Sequence, residues 1–508
     1  MNWKNKISVL LLFVLLWPTV VRSQEEIKIL CLEDALQLME DQNPELKQAK
    51  QLIKQKEYEL KSKRALYLPQ ISLSVKAISM TDKISMDLSP VSNAIVPLYN
   101  TLGTYGQFSG VPNPDPATNT EMPFLPDDIS TEVVRQQLLE AGEEISNTNW
   151  DNVIQEKNFA TLSADFIWPI FTGGKISSAN KAAGVEVEIS KQELRRSEGL
   201  LVTELVNRYY GLSLGLQVAE VRKQMLASME KHYQDSQKMF ENGMIARVEV
   251  LHASVARNEA ERELKQALRN IEIIRSGLSA TLAIDDNVIV HPSSELFVNK
   301  QLRDIPYWIS KAHTNNPQLN QIENKKQLID IKNNVDKGSY LPTIAIMGSY
   351  TLAEQNLSHY LPNGFVGVGM KWTVFDGMSR NNNLKVSKSQ QMQLNYAQQK
   401  AYNDLDAYII KLYHELHMQM EQEAALLTSL ELAQEYCTST EKAFNEGFAN
   451  SSTVVDAISK VAQVKALRLK VLYEYDVTLA QFMQISGISE EYTFYCKGEN
   501  TITESISN

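Results

Sequence analysis

The chain is written twice. Asn43-Pro44 followed by Tyr67-Leu68-Pro69 reappears as Asn316-Pro317 followed by Tyr340-Leu341-Pro342, with the same 25-residue step between the prolines in each copy. Phe171-Thr172-Gly173 has a counterpart in Phe375-Asp376-Gly377, and Phe240-Glu241-Asn242-Gly243 has one in Phe444-Asn445-Glu446-Gly447, both displaced by 204 residues. A unit of this length far exceeds a solenoid repeat. The chain is therefore expected to fold as two related halves about an internal pseudo-twofold, not as a stacked array.

The start of the sequence points out of the cytoplasm. Lys4 and Lys6 precede an apolar run from Ile7 to Trp17, and Val21-Arg22-Ser23 stands before an expected cut ahead of Gln24, which predicts a secretory signal peptide over 1–23. That run falls short of the roughly 20 residues a spanning helix needs. Ile29-Leu30 before Cys31 does not form a lipobox, so no lipid anchor is expected. The 508 residues carry a net charge of −11 with basic residues spread along the chain, and no later run is long enough to span as a helix. Neither a helical membrane protein nor a nucleic-acid binder is supported. Cys31, Cys437 and Cys496 leave room for one bridge but not for a disulfide framework.

Most of the sequence reads as long helix. No proline interrupts Ser177 to Phe240, and Leu205, Tyr209, Leu212, Leu216 and Ala219 step by four and three, the spacing of helices packed nearly parallel. At ~1.5 Å per residue this segment spans on the order of 95 Å. Gly243 breaks it before a return from about Val248 to Ala283, predicting a hairpin with its tip at that glycine. Ser379 to Glu446, a tip at Gly447 and a return through Gln484 repeat the pattern. Glycine suits both tips because a helix terminus often needs a left-handed residue.

Between the helices the period changes to two. Ile71-Ser72-Leu73-Ser74-Val75, Leu162 to Trp168, Thr343 to Ile346 and Val366 to Val374 alternate apolar with small or polar residues, and each strand is about the length that crosses a bilayer when tilted. Four strands do not close a barrel, and lipid does not tolerate open edges, so oligomerisation is expected. Trp168, Trp372, Tyr340, Phe171 and Phe375 gather at the strand ends nearest the long helices, as an interfacial aromatic girdle would. The first strand pair carries about 69 more residues than the second, roughly Met80 to Asn158. This insertion, with seven prolines from Pro90 to Pro126, reads as irregular loop with one short helix over Ile129 to Ala141. It is expected outside the cell, partly covering the mouth.

Leu32-Glu33-Asp34-Ala35-Leu36 leading to Asn43-Pro44-Glu45-Leu46, the two Tyr-Leu-Pro strand entries, Trp168-Pro169-Ile170-Phe171-Thr172-Gly173-Gly174, Gly243 with Val250-Leu251, and Gly447 with Val454-Val455-Asp456-Ala457 resemble the TolC-like outer-membrane efflux protein family. The resemblance spans almost all of the mature chain, its specificity lying in order, duplication and spacing. It implies a membrane α+β fold: a homotrimer whose outer-membrane β-barrel takes four strands from each chain, twelve in all, and continues into a long periplasmic α-helical barrel. It also implies an exit duct of tripartite efflux or type I secretion, passively conducting substrates. The implied partners are a periplasmic adaptor protein, an inner-membrane transporter and outer-membrane lipids.

On this reading the domains are a signal peptide (1–23), a first repeat (24–284), an equatorial linker (285–304), a second repeat (305–488) and a C-terminal tail (489–508). Strands are expected at about 69–80, 159–171, 342–352 and 364–375, the surface insertion at 81–158, and helical hairpins at 175–284 and 378–486. Pro69, Trp168, Pro169, Phe171, Pro342, Trp372 and Phe375 mark strand entries and exits. Gly243, Arg247, Glu249 and Gly447 are the candidate adaptor-contacting tips. Asp456 matches an acidic position the family uses near its periplasmic constriction, and the neighbouring acidic position one turn earlier is Thr453 here. Glu249 occupies the comparable tip of the first half, with Arg247 placed to pair with it or to meet the adaptor.

No catalytic constellation accompanies these features. His414 and His417 stand three apart without an HExxH pattern or a cysteine partner, and no phosphate loop or serine elbow falls in a strand-to-helix context. No enzymatic activity, cofactor or metal is expected, and no nucleic-acid partner. A secreted or periplasmic coiled-coil scaffold or adhesin also explains the heptads. It does not explain paired strands of bilayer length in each half.

Overall fold

The computed structural model describes residues 26–285, 288–496 and 501–504. The expected signal peptide at 1–23 lies outside the described residues. The chain divides into two compact units, one built from residues up to Lys63, Ser177–Lys337 and Met378 onward, the other from Arg64–Ile176 and Gly338–Gly377.

The first unit is mainly helical. It holds β1 (Glu26–Leu30), α1 (Leu32–Gln42), α2 (Pro44–Arg64), α5 (Lys175–Glu241), α6 (Arg247–Leu282), β6 (Val288–Pro292), β7 (Leu296–Asn299), α7 (Ile305–Asn315), α8 (Pro317–Gly338), α9 (Ser379–Asn445), α10 (Ser451–Ile485), α11 (Tyr492–Cys496) and β10 (Thr501–Glu504). Helices α5 and α9 are each 67 residues long.

The repeated Asn-Pro pairs have a shared physical role. Asn43 Oδ1 accepts from the Glu45 amide at 2.8 Å while its Nδ2 donates to the Thr281 carbonyl at 3.0 Å near the end of α6. Asn316 does the same for Gln318 and Leu319, donating to the Ile485 carbonyl at 2.8 Å at the end of α10. Each asparagine caps one helix and ties it to the end of a returning one, and the following proline sits in the first turn, where its missing N–H costs nothing.

Residues 285–304, expected as a linker, contain strands. β6 pairs in parallel with β1, and β7 pairs antiparallel with β10 from the tail expected at 489–508. Strands of four or five residues are too short to show a period, and their partners come from the two ends of the chain. Beneath them Phe297 meets Tyr210, Tyr475 and Tyr492 edge-on at 6.2–6.3 Å. The Tyr209 hydroxyl donates to the Leu30 carbonyl at 2.7 Å and accepts from the Ser293 and Ser294 amides. Between α9 and α10, Arg468 and Glu423 form a buried ion pair at 2.9 Å. Among the described residues no disulfide joins Cys31, Cys437 or Cys496.

The second unit is a four-stranded antiparallel sheet, β2 (Gln70–Ser79), β5 (Asn158–Phe171), β8 (Thr343–Gln355) and β9 (Gly364–Lys371), in that order. The register aligns Ile71 with Phe166, Gly348 and Val366, and Trp168 with Ile346 and Val368. Directly paired residues share a face. One face therefore carries Ile71, Leu73, Val75, Leu162, Phe166, Trp168, Ile344, Ile346, Val366, Val368 and Met370. The other carries Ser72, Ser74, Lys76, Thr161, Ser163, Asp165, Ser349, Gly367, Gly369 and Lys371, with Ile78, Phe159, Ile167, Ala345, Met347 and Phe365 as apolar exceptions.

Two strand ends differ from expectation. β8 runs on to Gln355, and β9 stops at Lys371, leaving Trp372 and Phe375 beyond it. Lys371 pairs with Thr343, and the residue before Thr343 is Pro342, which has no N–H to continue the ladder.

The insertion is ordered, which corrects its reading as irregular loop. Strands β3 (Ile84–Asp87) and β4 (Asp151–Gln155) form a ribbon that leads to two packed helices, α3 (Ser89–Tyr105) and α4 (Asp127–Asn147). Proline misled the reading: Pro90 occupies the first turn of α3, and Pro97 lies on an exposed side within it. The α4 helix starts before 129 because Asp127 and Asp128 favour its N-terminus, and it runs on past 141 to Asn147. No helix among the described residues is long and apolar enough to cross a membrane.

Candidate functional site

The two hairpin tips are built alike. After α5 the Met244 amide reaches the Met239 carbonyl and Gly243 reaches Phe240, and after α9 Phe448 reaches Ala443 and Gly447 reaches Phe444. Gly243 and Gly447 take φ of +68° and +81°, the left-handed residue this terminating motif demands. The residues that follow, Met244 and Phe448, are exposed, Phe448 at 85%. Neither drew notice in the sequence, although each follows its tip glycine directly.

Beside these tips the N-terminus of α10 is held from three directions. Asn450 Oδ1 accepts from the Thr453 amide at 3.0 Å and from its hydroxyl at 2.6 Å, so Thr453 belongs to the cap. Glu249, on α6, accepts from the Ser451 amide at 2.9 Å, placing a carboxylate at the positive end of α10. His232, buried on α5 and edge-on to Phe444, lies 2.8 Å from Ser451 Oγ. Desolvation lowers the His232 imidazole to about 4 from an ordinary 6.5. Glu249 thus bonds to the opposite hairpin, while Arg247 is exposed. Asp456 is exposed one turn beyond Thr453. His232 and Asn450 are site residues the sequence reading missed; Asn450, an N-cap residue type just before a helix, was the findable one.

In the sheet unit the duplicated aromatics make duplicated bonds. Trp168 Nε1 donates to the Tyr67 carbonyl at 3.0 Å, and Trp372 Nε1 donates to the Tyr340 carbonyl at 3.1 Å. Each indole fastens a strand exit to the Tyr-Leu-Pro entry beside it, with Pro69 and Pro342 directly preceding β2 and β8. Pro169 falls within β5 at a register shift before Phe171. Gly173 and Gly338 touch backbone to backbone; a Cβ on Gly338 would lie 1.9 Å from the Gly173 oxygen. On the polar face, Asp165 accepts from Ser74 and from Ser349, each at 2.6 Å, linking three strands. It sat in an alternating segment, and nothing there singled it out. Among the described residues no group of histidine, cysteine or carboxylate side chains could hold a metal ion.

A two-faced sheet of strands this long, joined in one chain to paired helices of this length, defines a class of membrane-channel proteins of mixed α and β structure. The model of the outer membrane efflux protein family matches residues 135–283 and 308–488, more than half of the chain, and the chain belongs to that family. It is thus an outer-membrane protein of an efflux-channel family, not of an enzyme family.

Solved structures share the fold at low identity. The outer membrane protein VceC from Vibrio cholerae aligns with a TM-score of 0.65 at 12% identity, over 90% of this chain and 96% of that one. The CmeC outer membrane channel of Campylobacter jejuni gives 0.66 at 13%, over 92% and 89%. The open state of the MtrE outer membrane channel of Neisseria gonorrhoeae gives 0.65 at 12%, over 90% and 89%. No curated protein sequence matches significantly.

Proposed function

We propose that three copies of this chain form an outer-membrane exit duct, each contributing β2, β5, β8 and β9 to a twelve-stranded barrel and its helical hairpins to a periplasmic helical barrel. The observation that carries this is the sheet itself: apolar on one face, polar on the other, with β2 and β9 as edge strands. Such edges persist in lipid only when paired, and β9 of one copy pairing with β2 of the next closes the ring. The apolar face meets lipid and the face bearing Asp165 lines the lumen. Residues 24–284 and 305–488 act as its two structural repeats, joined through an equatorial region at 285–304.

The duct serves a tripartite efflux pump or a type I secretion system, receiving substrate from an inner-membrane transporter through a periplasmic adaptor that meets the tips at Gly243, Arg247, Glu249 and Gly447. Transport here is conduction and gating without bond chemistry. Asp456 would recur three times around the lumen, attracting cations and narrowing the entrance, while Thr453 contributes no charge to that ring. The test is single-channel conductance of the purified protein in planar bilayers with added di- or trivalent cations. Trimer-sized channels blocked by cations, with the block relieved in Asp456→Ala, support both duct and gate. Channels indifferent to that substitution retain the duct and reject the gate.

A further inference from the structure

Helix α3 lies in the segment that has no counterpart in the second repeat and outside the residues that match the family. Its face on α4 includes small residues: Ser92 and Gly103 are buried, a Cβ on Gly103 would come within 2.7 Å of Leu139, and Tyr99 and Asn100 lie against Gly142 of α4. One step around the helix, Val91, Ile95, Leu98, Leu102 and Tyr105 repeat at intervals of four, three, four and three residues. This is the 3.5-residue period of a seam between helices. Yet Val91, Leu98, Leu102 and Tyr105 are 45%, 56%, 38% and 77% exposed. The remaining face carries Asn93, Thr101 and Thr104.

We propose that this seam is filled by the same helix of neighbouring copies, so that α3 helices pack together as an apolar collar at the outer mouth of the duct. The inference rests on the trimeric reading above. Charge selects the occupant. Residues 88–114 contain no aspartate, glutamate, lysine, arginine or histidine, so identical helices meet along the seam without repulsion. The α4 helix carries six carboxylates against one arginine and would repel its own copy, which leaves α3 as the face turned inward. The connection also fits, because β2, the edge where a neighbour joins, runs directly into the β3–β4 ribbon that bears α3. At ~1.5 Å per residue α3 offers about 25 Å, or two heptads, to such a contact.

The experiment is oxidative cross-linking of the full detergent-purified protein, with Cys31, Cys437 and Cys496 changed to serine and its mass followed by light scattering. Leu98→Cys should form interchain disulfides at least roughly tenfold faster than Glu140→Cys on the acidic helix, since packed seams hold the thiols at high effective concentration. Adding Leu98→Asp and Leu102→Asp to a Val91→Cys protein should abolish its cross-linking while the trimer mass stays unchanged. A trimer in which Leu98→Cys stays uncrosslinked and reacts freely with maleimide overturns the collar alone. Protection of that thiol only in lipid, again without cross-links, assigns the seam to the membrane and also overturns it. A monomeric mass rejects the trimer and the collar together.

Discussion

His232 and Asp476 are both buried in the helical unit, and burial drives them in opposite directions. The imidazole is lowered to about 4 mainly by desolvation and by His252, against the opposing pull of Asp235 and Glu249. Its folded value lies below its unfolded one, so the stability held by neutral His232 is full above pH 6.5 and is lost as pH falls toward 4, on the order of 3 kcal/mol. Asp476 is wholly buried, and neither carboxyl oxygen makes a close, well-aligned hydrogen bond among the described residues. Desolvation raises it well above the carboxylate range, against a weaker pull from the Phe297 amide. Its contribution is full below the unfolded value and is lost as pH rises. Thermal loss of helicity measured by circular dichroism should separate the two. His232→Gln should weaken the decline between pH 6.5 and 4, and Asp476→Asn should raise the melting temperature at pH 8 relative to the parent. Neither group was legible beforehand, because burial depends on which helices close over a position.

At the scale of elements, the hairpins were the most legible part. Their proline-free heptads and tip glycines announce the turn, and the tip motif uses the glycines for a backbone reason alone. A Cβ on Gly447 meets nothing within 4 Å, so the cost of Gly447→Ala is the left-handed conformation itself, about 1–2 kcal/mol. Gly447→Asn should cost less, and hydrogen exchange at the α9–α10 tip should rank glycine, asparagine and alanine in that order of protection. The equatorial strands were not legible, since β6 and β7 are strands only because β1 and β10 pair with them. The insertion was misread for a related reason: proline argues against helix locally, whereas Pro90 stands in the first turn of α3 and the helix carries Pro97 within it.

At the scale of the molecule, the sheet's two faces make opposite demands. Val368 lies on the apolar face and Gly367 on the polar one, adjacent in sequence and both on an edge strand. In a closed barrel, Val368→Lys sets a cation against lipid at a cost of roughly 2–4 kcal/mol, whereas Gly367→Lys points to water. A Cβ on Gly367 also meets nothing within 4 Å. The level of folded protein in isolated outer membranes should fall for Val368→Lys and hold for Gly367→Lys. Equal loss in both would count against a water-filled lumen.

By itself the sequence determined the duplicated plan, the long hairpins and the four alternating strands, because these follow from periodicity and from residues whose backbone preferences act locally. Tertiary structure alone decided the pairing of the chain's ends at β6 and β7, the Glu423–Arg468 pair, the grip of His232 and Glu249 on the start of α10, and the exposed seam of α3. Each depends on contacts between residues far apart in the chain, and no local period records which partner a folded chain will bring to a given side chain.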